Sequence, residues 1–317
     1  MKKNKYNIAI IGSGWYGCHI ASFLQEKGVD IKIFDKSDSF FSGASGFNQN
    51  RLHLGYHYPR CSKTRYFSKN GFKKFKKKYP NFSEKIDKNY YCIHQSKSLL
   101  DFETYKTIMK SEDLKFRTIY NDNLFKLKNI EGVISCDEEL INTKKAKKFF
   151  QKKLEPFFQG NYEVNEGNIN QLLNEFDWVI DCTWGGYKNY LPEKIYYEAC
   201  LTMIYESSLK ERVGLTVMDG ELFSLYPMED NFYTLTSVKE LPLSLHRSQK
   251  EASAACNIFI KDKKAVGRKI ELFENEINSV FPDFKKYFTF SYPQTSIKTK
   301  FKSSADTRIV KHFVNEN

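Results

Sequence analysis

The order of apolar and polar residues at the start of the chain predicts a strand, a helix and a second strand. The unbroken apolar run at 8–11 is short and rich in β-branched residues, which is typical of a strand buried on both faces. Apolar residues at helical spacing over 20–24 predict a helix that ends at Gly28. A second apolar run over 29–34 ends at Asp35, so the segment forms a complete βαβ unit.

A glycine pattern, G-x-G-x-x-G, lies at the turn between the first strand and the helix. Gly12 allows the tight turn, Gly14 lets a diphosphate approach bare backbone, and Gly17 lets the helix pack closely on the strand. The positive end of the helix, beginning near Trp15, would face the diphosphate. Asp35 follows Gly17 by 18 positions, where a carboxylate binds an adenosine ribose and repels the 2′-phosphate of NADP. The pattern predicts a dinucleotide site; the alternative is a packing turn that binds nothing.

The second half of the chain has a different pattern, with short alternating strands. From residue 196 onward we predict strands over 197–205, 214–218, 222–227 and 232–238. This meander predicts an antiparallel sheet with one covered face. The other predicted elements are strands over 89–93, 161–164, 176–181 and 288–300 and helices over 99–109, 143–154 and 264–280.

Length and composition favour a folded protein of about two domains. The chain has 317 residues, of which 41% are hydrophobic and 16% aromatic, enough to bury a large core. The sequence has no apolar run of the roughly 18 residues that a membrane span needs, and its basic amino terminus does not fit a signal peptide. Seven cysteines without paired spacing favour a reducing compartment, so we expect a cytoplasmic protein without a metal site.

The net charge of +12 comes mainly from lysines. They are concentrated in runs such as 73–78 and 144–153, where apolar residues recur at helical spacing. Such runs are typical of the solvated faces of amphipathic helices. The alternative is attraction of an anionic substrate, for example a nucleotide-linked sugar. Nucleic acid is not an expected partner, because the lysines are not interleaved with aromatic stacking residues.

The loop after Asp35 distinguishes between dinucleotides. It contains Gly43-Ala44-Ser45 and Asn48, which are small or polar residues. A nicotinamide domain has no need of such a loop, whereas a flavin site uses its N–H and hydroxyl donors on the diphosphate. With Asp35 in place of the more usual Glu, these residues resemble the FAD-dependent oxidoreductases of the D-amino-acid oxidase and glycine oxidase (DAO) superfamily.

The resemblance implies an α/β fold in which a Rossmann-like FAD-binding domain is interleaved with an antiparallel-sheet (α+β) substrate domain. The FAD-binding domain is expected over 1–85 and 141–192, with 309–317 as a further candidate piece. The substrate domain is expected over 86–140 and 193–308. The resembled proteins end with a strand and a glycine-rich loop that this sequence lacks. We therefore expect either a shortened end completed by another subunit or segment, or impaired flavin binding.

The resemblance also indicates which residues hold FAD. It places Cys182-Thr183-x-Gly185 beside the cofactor, where small residues allow close approach, and the backbone of Val164 beside the adenine. The full set of expected cofactor-binding residues is Gly12, Ser13, Gly14, Trp15, Tyr16, Gly17, Asp35, Lys36, Gly43, Ala44, Ser45, Asn48, Gln49, Arg51, Leu52, Val164, Cys182, Thr183 and Gly185.

Arginine and histidine are concentrated just after the loop. Three arginines and two histidines fall within fifteen residues of a chain that otherwise uses lysine: Arg51, His53, His57, Arg60 and Arg65. This density favours bidentate recognition of an anion, either the flavin diphosphate or a substrate carboxylate. The alternative is a strand in which these side chains only pack. Candidates for covalent flavin attachment are His53, His57 and Cys61. The residues expected to position substrate are Arg51, His53, Tyr56, His57 and Arg308, followed by Arg212, Tyr226 and Arg247.

The leading hypothesis is FAD-dependent oxidation of a small substrate by hydride transfer to flavin N5. The substrate would be an amine, an amino acid or a hydroxyl-bearing compound, and the last class includes sugar-linked compounds. One alternative keeps FAD without net oxidation, as in a mutase acting on a nucleotide sugar. Another is a non-catalytic nucleotide-binding subunit. We expect a small-molecule substrate, and the positive net charge is compatible with an anionic one. The sequence is compatible with a homo-oligomer.

Overall fold

The structure is a computed structural model that describes residues 6–120, 125–186, 195–301 and 314. Its strands are β1 (Asn7–Ile11), β2 (Asp30–Phe34), β3 (Arg51–Leu52), β4 (Ser83–Lys85), β5 (Lys88–His94), β6 (Arg117–Ile119), β7 (Ile130–Ser135), β8 (Glu139–Ile141), β9 (Phe158–Gln159), β10 (Trp178–Asp181), β11 (Ile195–Ser207), β12 (Val213–Met218), β13 (Phe223–Pro227), β14 (Phe232–Ser237), β15 (Pro242–His246) and β16 (Phe288–Phe301). Its helices are α1 (Trp15–Glu26), α2 (Ser62–Lys78), α3 (Phe102–Ser111), α4 (Thr143–Leu154), α5 (Ile169–Glu175), α6 (Gln249–Lys261), α7 (Lys263–Val280) and α8 (Phe284–Tyr287), with a 3-10 turn at Glu155–Phe157.

A four-stranded parallel sheet forms the first layer, in the order β10-β1-β2-β9. Both faces are apolar, as expected of a parallel sheet covered by helices. Helices α1 and α4 pack over Ile10 and Ile33 on one face, and α5 packs over Ala9 on the other. Because the strands are parallel, their carboxyl ends meet at one edge, where the glycine turn and Asp35 lie.

A nine-stranded sheet forms the second layer, in the order β15-β11-β14-β13-β12-β5-β7-β6. Strand β16 pairs with the other edge of β11 along its whole length. The ladders are antiparallel except between β5 and β12, which run parallel. These two strands are far apart in the sequence, and a parallel pair requires a long connection of this kind.

The two faces of the large sheet differ in polarity. One face is apolar, with Leu201, Leu215 and Leu225 packed against Phe273 and Ile277 of α7. The other face carries hydroxyl and amide side chains, as the alternation along the strands predicts. A three-stranded sheet, β3-β8-β4, lies beside it and joins the loop after β2 to the segment that precedes α4.

The structure departs from the predicted elements at several places. The strand expected over 161–164 is wrong, because this stretch is irregular and Asn161 has a left-handed φ of 54°. The strand that pairs with β2 is β9, at 158–159. The pattern did not predict α5, β15 or α6. Within the described ranges, none of the helices combines the length and apolar character needed to cross a bilayer.

Candidate functional site

The glycine turn joins β1 to α1 at the carboxyl edge of the parallel sheet. Gly12 has a φ of 100°, a left-handed conformation that favours glycine, and its amide donates to the carbonyl of Phe34 at 2.7 Å. A Cβ on Gly17 would lie 1.8 Å from the carbonyl oxygen of Gly12. The helix can therefore begin this close to the strand only with glycine at position 17, which is the geometry that a diphosphate-binding turn needs.

Asp35 braces this turn from the end of β2. Its Oδ2 accepts hydrogen bonds from the backbone N–H of Ser13 at 2.7 Å and from the Ser13 hydroxyl at 2.8 Å. Its Oδ1 accepts the N–H of Ser37 at 2.9 Å. A carboxylate oxygen accepts two hydrogen bonds, so Oδ1 retains capacity for a ribose hydroxyl.

Ser45 brings the loop after β2 against the amino terminus of α1. Its Oγ accepts the N–H of Trp15 at 3.0 Å and lies 2.8 Å from where a Cβ on Gly14 would stand. The first turn of α1 has no acidic residue and no side-chain cap, so the positive end of the helix is not neutralised from within it. A hydroxyl here can donate its own proton to a phosphate oxygen. Gly14, Ser45 and the helix end together suit a diphosphate.

Two further residues of the loop fix its shape and its position. Asn48 Nδ2 donates to the carbonyl of Ala44 at 2.8 Å, so this side chain folds back on the loop. Gln49 Nε2 donates to the Ser224 carbonyl at 3.2 Å and to the Thr234 hydroxyl at 3.1 Å. The loop is thereby anchored on the polar face of the large sheet.

Other expected cofactor residues lie around the turn. The rings of Tyr16 and Trp184 are 5.2 Å apart and remain 41% and 50% exposed, so they form an aromatic rim beside the turn. Trp15 instead packs into the aromatic cluster under α2 and α4. Lys36 Nζ donates to Gln249 Oε1 at 3.0 Å and so links the first layer to α6. Among the described residues, no atom beyond the two chain neighbours lies within 4 Å of a Cβ placed on Gly43, so these residues leave space around this part of the loop.

The segment after β10 passes directly beside the turn. The carbonyl oxygen of Cys182 lies 3.0 Å from a Cβ placed on Gly12. Thr183 donates its N–H to Asp181 at 2.7 Å, and Gly185, with a φ of 81°, accepts the Tyr197 hydroxyl through its carbonyl. Val164 packs beside the cluster that contains Ile11 and Phe34, the last residues of β1 and β2.

Arg51 is buried at the junction of the loop and the large sheet. Its Nη1 donates to the hydroxyls of Tyr91 and Thr216 at 3.0 and 2.9 Å, and its Nη2 donates to Ser224 at 2.7 Å. The guanidinium also lies 3.9 Å from the ring centroid of Tyr226. Arg51 therefore fastens β3 to the sheet through a network of side chains. Leu52 follows it in the β3–β8 ladder, opposite Glu139.

Glu138 is a buried carboxylate that belongs to no motif in the sequence. It accepts the Tyr91 hydroxyl at 2.6 Å, and the backbone N–H groups of Leu54 and Gly55 at 2.7 and 3.2 Å. Its Oε2 lies 3.5 Å from Nδ1 of His53. Burial opposes ionisation of Glu138, but His53, Arg51 and the Tyr91 hydroxyl outweigh burial and hold its pKa at about 2. Burial, reinforced by Glu138, raises the pKa of Tyr91 well above its usual value, so Tyr91 keeps its proton.

The structure separates the other arginines of the segment from Arg51. Arg60 forms an ion pair with Asp219 at 2.8 Å, and Arg65 forms one with Glu112 at 3.0 Å. The Tyr56 hydroxyl donates to the carbonyl of Lys115, whereas the ring of His57 lies 5.4 Å from that of His53. Arg212 pairs with Glu84 at 2.8 Å. Arg308 lies outside the described residues.

Hydroxyl and amide side chains form a row across the polar face of the large sheet. Gln294 pairs with Thr202, Thr236 with Ser224, Ser224 with Thr216, and Thr216 with Tyr91. Met203 pairs with Leu235 in the antiparallel ladder of β11 and β14, so Thr202 and Thr236, one position further along, also lie opposite each other. Paired residues point to the same side of a sheet. The polar row is therefore Gln294, Thr202, Thr236, Ser224, Thr216 and Tyr91.

Arg51 occupies only one end of the polar row, at Ser224, Thr216 and Tyr91. At the other end, Thr236 and Gln294 are half-buried, and the buried Gln294 Nε2 has no hydrogen-bond partner among the described residues. The glycine turn, the anchored loop and this open end of the row fit a dinucleotide whose far end reaches the sheet.

Comparison with known proteins supports this fit. A family model described as FAD dependent oxidoreductase (DAO) matches residues 7–108. A relative from Fusarium mangiferae, FAD-dependent monooxygenase FPY4, is 35% identical over 311 residues, which are 96% of this chain and 83% of the relative. FAD-dependent monooxygenase kojA of Aspergillus flavus is 25% identical over 95% of this chain and 78% of its own length.

Solved structures share the fold at low sequence identity. L-α-glycerophosphate oxidase from Mycoplasma pneumoniae, solved with FAD bound, has a TM-score of 0.70 at 14% identity, over 95% of this chain and 85% of that one. Glycine oxidase from Geobacillus kaustophilus has a TM-score of 0.64 at 10% identity, over 95% of this chain and 84% of that one. With the cofactor edge described above, these findings make FAD the cofactor, and the chain belongs to the FAD-dependent oxidoreductases of the DAO family.

Proposed function

We propose that this oxidoreductase removes a hydride from a small polar substrate, bearing a hydroxyl or an amine, that binds at the open end of the polar row. The observation that supports the proposal is the polar row itself. The side chains of Thr202, Thr236 and Gln294 project from the face of the sheet on which Arg51 lies. Their neutral donors and acceptors suit hydroxyl and amine groups.

The cofactor would be held by the glycine turn, Asp35 and Ser45, and when bound FAD accepts a hydride at its N5 atom. The protein then has to hold the reacting C–H bond in place. The anchored loop, fixed to the sheet by Gln49 and Arg51, keeps the cofactor edge and the polar row in one arrangement.

Oxidation of an alcohol or amine also releases a proton from the oxygen or nitrogen. The hydrogen of the C–H bond leaves as a hydride, the O–H or N–H proton is released to solvent, and the substrate gains a C=O or C=N bond.

The test is anaerobic mixing of the FAD-loaded protein with panels of amino acids, amines, alcohols and sugar nucleotides. A substrate is expected to bleach the flavin absorbance without oxygen and to yield the carbonyl or imine product. Thr202→Val is expected to raise the substrate concentration needed for half-maximal bleaching, whereas Thr289→Val, an exposed position on the neighbouring strand β16, is expected to leave it unchanged. FAD-loaded protein that no hydroxyl or amine compound bleaches would contradict the proposal.

A second candidate function is monooxygenation, which the names of the relatives from Fusarium and Aspergillus favour. It requires oxygen and an external reductant, because one oxygen atom enters the substrate and the other leaves as water. Incorporation of one atom of ¹⁸O from ¹⁸O₂, coupled to consumption of reduced nicotinamide, would support monooxygenation over simple oxidation. Anaerobic bleaching by substrate alone supports the first proposal.

A further inference from the structure

We propose that the surface formed by α2, α4 and the carboxyl end of α1 binds the anionic headgroups of a lipid bilayer, so that the protein docks on a membrane from one side. The inference is independent of the proposed function, since it uses none of the cofactor or substrate residues. It rests on where the fold places the positive charge, on which lysines have an acidic partner, and on the aromatic rings exposed beside them.

The positive charge of the protein is concentrated on two helices. Helix α2 carries eight basic residues and α4 carries six, and neither helix contains an acidic residue. Of the 50 basic and 38 acidic residues of the chain, 36 and 38 lie outside these helices. Without α2 and α4 the chain would be slightly acidic, so its net charge of +12 belongs to one part of the molecule. Charge concentrated in this way creates a field that attracts an anionic partner.

Half of these basic residues are neutralised within the fold. Lys78 and Lys153, for example, share the carboxylate of Glu26 at 2.9 and 2.6 Å. The members with an acidic partner are Arg65, Lys69, Lys76, Lys78, Lys144, Lys145 and Lys153. The members that form no ion pair with a described residue are Lys63, Lys73, Lys74, Lys77, Lys147, Lys148 and Lys152. All of these except the half-buried Lys147 are exposed, so their charge is available to a partner.

The unpaired lysines of the two helices come together at the carboxyl end of α1. Glu26, the last residue of α1, binds Lys78 of α2 and Lys153 of α4, so the ends of the three helices converge. Lys77 and Lys152 immediately precede these two lysines, and both are exposed. The lysines about one turn earlier on each helix complete what we call the basic surface: Lys73, Lys74, Lys77, Lys147, Lys148 and Lys152.

Two phenylalanine rings are exposed beside the basic surface. Phe149 of α4 is 43% exposed, and Nζ of Lys153 lies 6.0 Å from the centroid of its ring. Phe23 of α1 is 48% exposed and precedes Glu26 by about one turn. Exposed aromatic rings among lysines are typical of surfaces that bury apolar side chains at the boundary between lipid headgroups and acyl chains. A bilayer therefore fits both the charge and the rings.

The type of basic residue favours lipid over nucleic acid. Each member of the basic surface is a lysine, whose compact and strongly hydrated charge attracts phosphates without a fixed geometry. The arginine of α2, Arg65, has the planar group that suits bidentate recognition, but it is paired with Glu112 inside the fold. Headgroups in a fluid bilayer have no fixed arrangement, and they attract lysines that lie close to the membrane surface.

Docking through the basic surface leaves the cofactor edge accessible. Helix α1 begins beside the glycine turn and ends at Glu26, and its 12 residues span about 18 Å. The bilayer would therefore contact the end of α1 that is opposite to the glycine turn. For this reason, we expect changes in the basic surface to leave FAD binding intact.

The test is co-sedimentation of the FAD-loaded protein with vesicles of phosphatidylcholine, made with and without phosphatidylglycerol. We expect binding only to vesicles that contain phosphatidylglycerol, and we expect added salt to weaken it by screening the attraction. Each lysine near an anionic bilayer contributes about five-fold to binding, so the triple variant Lys73→Gln, Lys74→Gln and Lys77→Gln should bind about 100-fold more weakly. Failure of the wild-type protein to bind the anionic vesicles overturns the inference and leaves the bleaching test unaffected.

The matched control removes three exposed lysines at the junction of α6 and α7: Lys261→Gln, Lys263→Gln and Lys264→Gln. It changes the net charge by the same amount and is expected to keep nearly the wild-type affinity. Because all six substituted lysines are exposed, both triple variants should retain the flavin absorbance of the wild-type protein. An equal loss of binding in both would show that the overall charge, and not the basic surface, attracts the vesicles, which overturns the inference.

A second measurement identifies the occupant of the surface. Phe23→Trp places an indole beside the lysines, and its fluorescence emission is expected to shift to shorter wavelength when anionic vesicles are added. An unchanged emission spectrum in the vesicle-bound protein would show that another part of the chain contacts the bilayer. Single-stranded RNA that displaces the protein from the vesicles and binds it more tightly would overturn the inference in favour of a nucleic-acid partner.

Discussion

Ser13 donates both its backbone N–H and its hydroxyl to the same oxygen of Asp35, at 2.7 and 2.8 Å. The two residues belong to the glycine turn and to the end of β2, so this double hydrogen bond fixes the turn against the neighbouring strand. Asp35 therefore has a structural task in addition to its expected contact with a ribose.

Asp35→Ala is expected to weaken FAD binding and to lower stability together. Hydrogen bonds to a charged acceptor contribute about 1.5–3 kcal/mol each, and loss of those from Ser13 frees the turn. We expect the FAD dissociation constant to rise by about 10- to 100-fold, measured by quenching of flavin fluorescence. Asp38→Ala, an exposed position on the same loop, is the control. Unchanged FAD affinity in Asp35→Ala would contradict the assigned role.

Gly17→Ala is expected to abolish the cofactor site. Its Cβ would lie 1.8 Å from the Gly12 carbonyl oxygen, so the helix must move away from the strand and the turn must open. The purified variant should lack flavin absorbance. Gly71→Ala is the matched control, because Gly71 is exposed within α2 with open space around its Cβ position. That change should keep FAD and raise stability by up to about 1 kcal/mol.

Substitutions at the open end of the polar row are expected to act on substrate and not on cofactor. Thr202→Val and Gln294→Leu remove donors and acceptors while keeping similar volume. Loss of one hydrogen bond to a neutral group costs about 0.5–1.5 kcal/mol, so KM should rise by about 2- to 10-fold for each. FAD affinity should be unchanged. Equal loss of FAD affinity in both variants would show that the row supports the cofactor instead.

The buried carboxylate of Glu138 is expected to make stability depend on acid pH. Its pKa falls from 4.5 to about 2 on folding, so the unfolded chain binds its proton more readily. The stabilisation, about 3 kcal/mol, is complete above pH 4.5 and is lost as the pH falls through about 2. Urea unfolding of wild type and Glu138→Gln should show a free-energy difference that shrinks over this interval. A difference that stays constant down to pH 2 would contradict it.

The cofactor edge could be predicted because its determinants are local. The run at 8–11, the glycine spacing and Asp35 lie within 30 residues, and each constrains backbone geometry directly. The loop at 43–48 could also be predicted from the sequence, but its polar side chains have different roles. Ser45 contacts the amino terminus of α1, whereas Asn48 folds back on the loop.

The rest depends on contacts between distant parts of the chain. The pattern predicted a strand at 161–164, but the edge of β2 is taken by Phe158 and Gln159, a two-residue pairing that tertiary packing selects. The alternating strands predicted an antiparallel sheet with one covered face, but not that Thr202 and Gln294 share a row on one side of it. Glu138 is an ordinary acidic residue in the sequence, and only folding brings it to His53.

The loop that carries Ser45 is held at two points, by the end of α1 and, through Gln49, by β13 and β14. The loop therefore couples the two layers, so an interaction that stabilises one layer also stabilises the other. Binding of flavin should therefore reduce the motion of the surface that binds the substrate. Both layers should also unfold in a single cooperative step, visible as one calorimetric peak whose temperature rises when flavin is added.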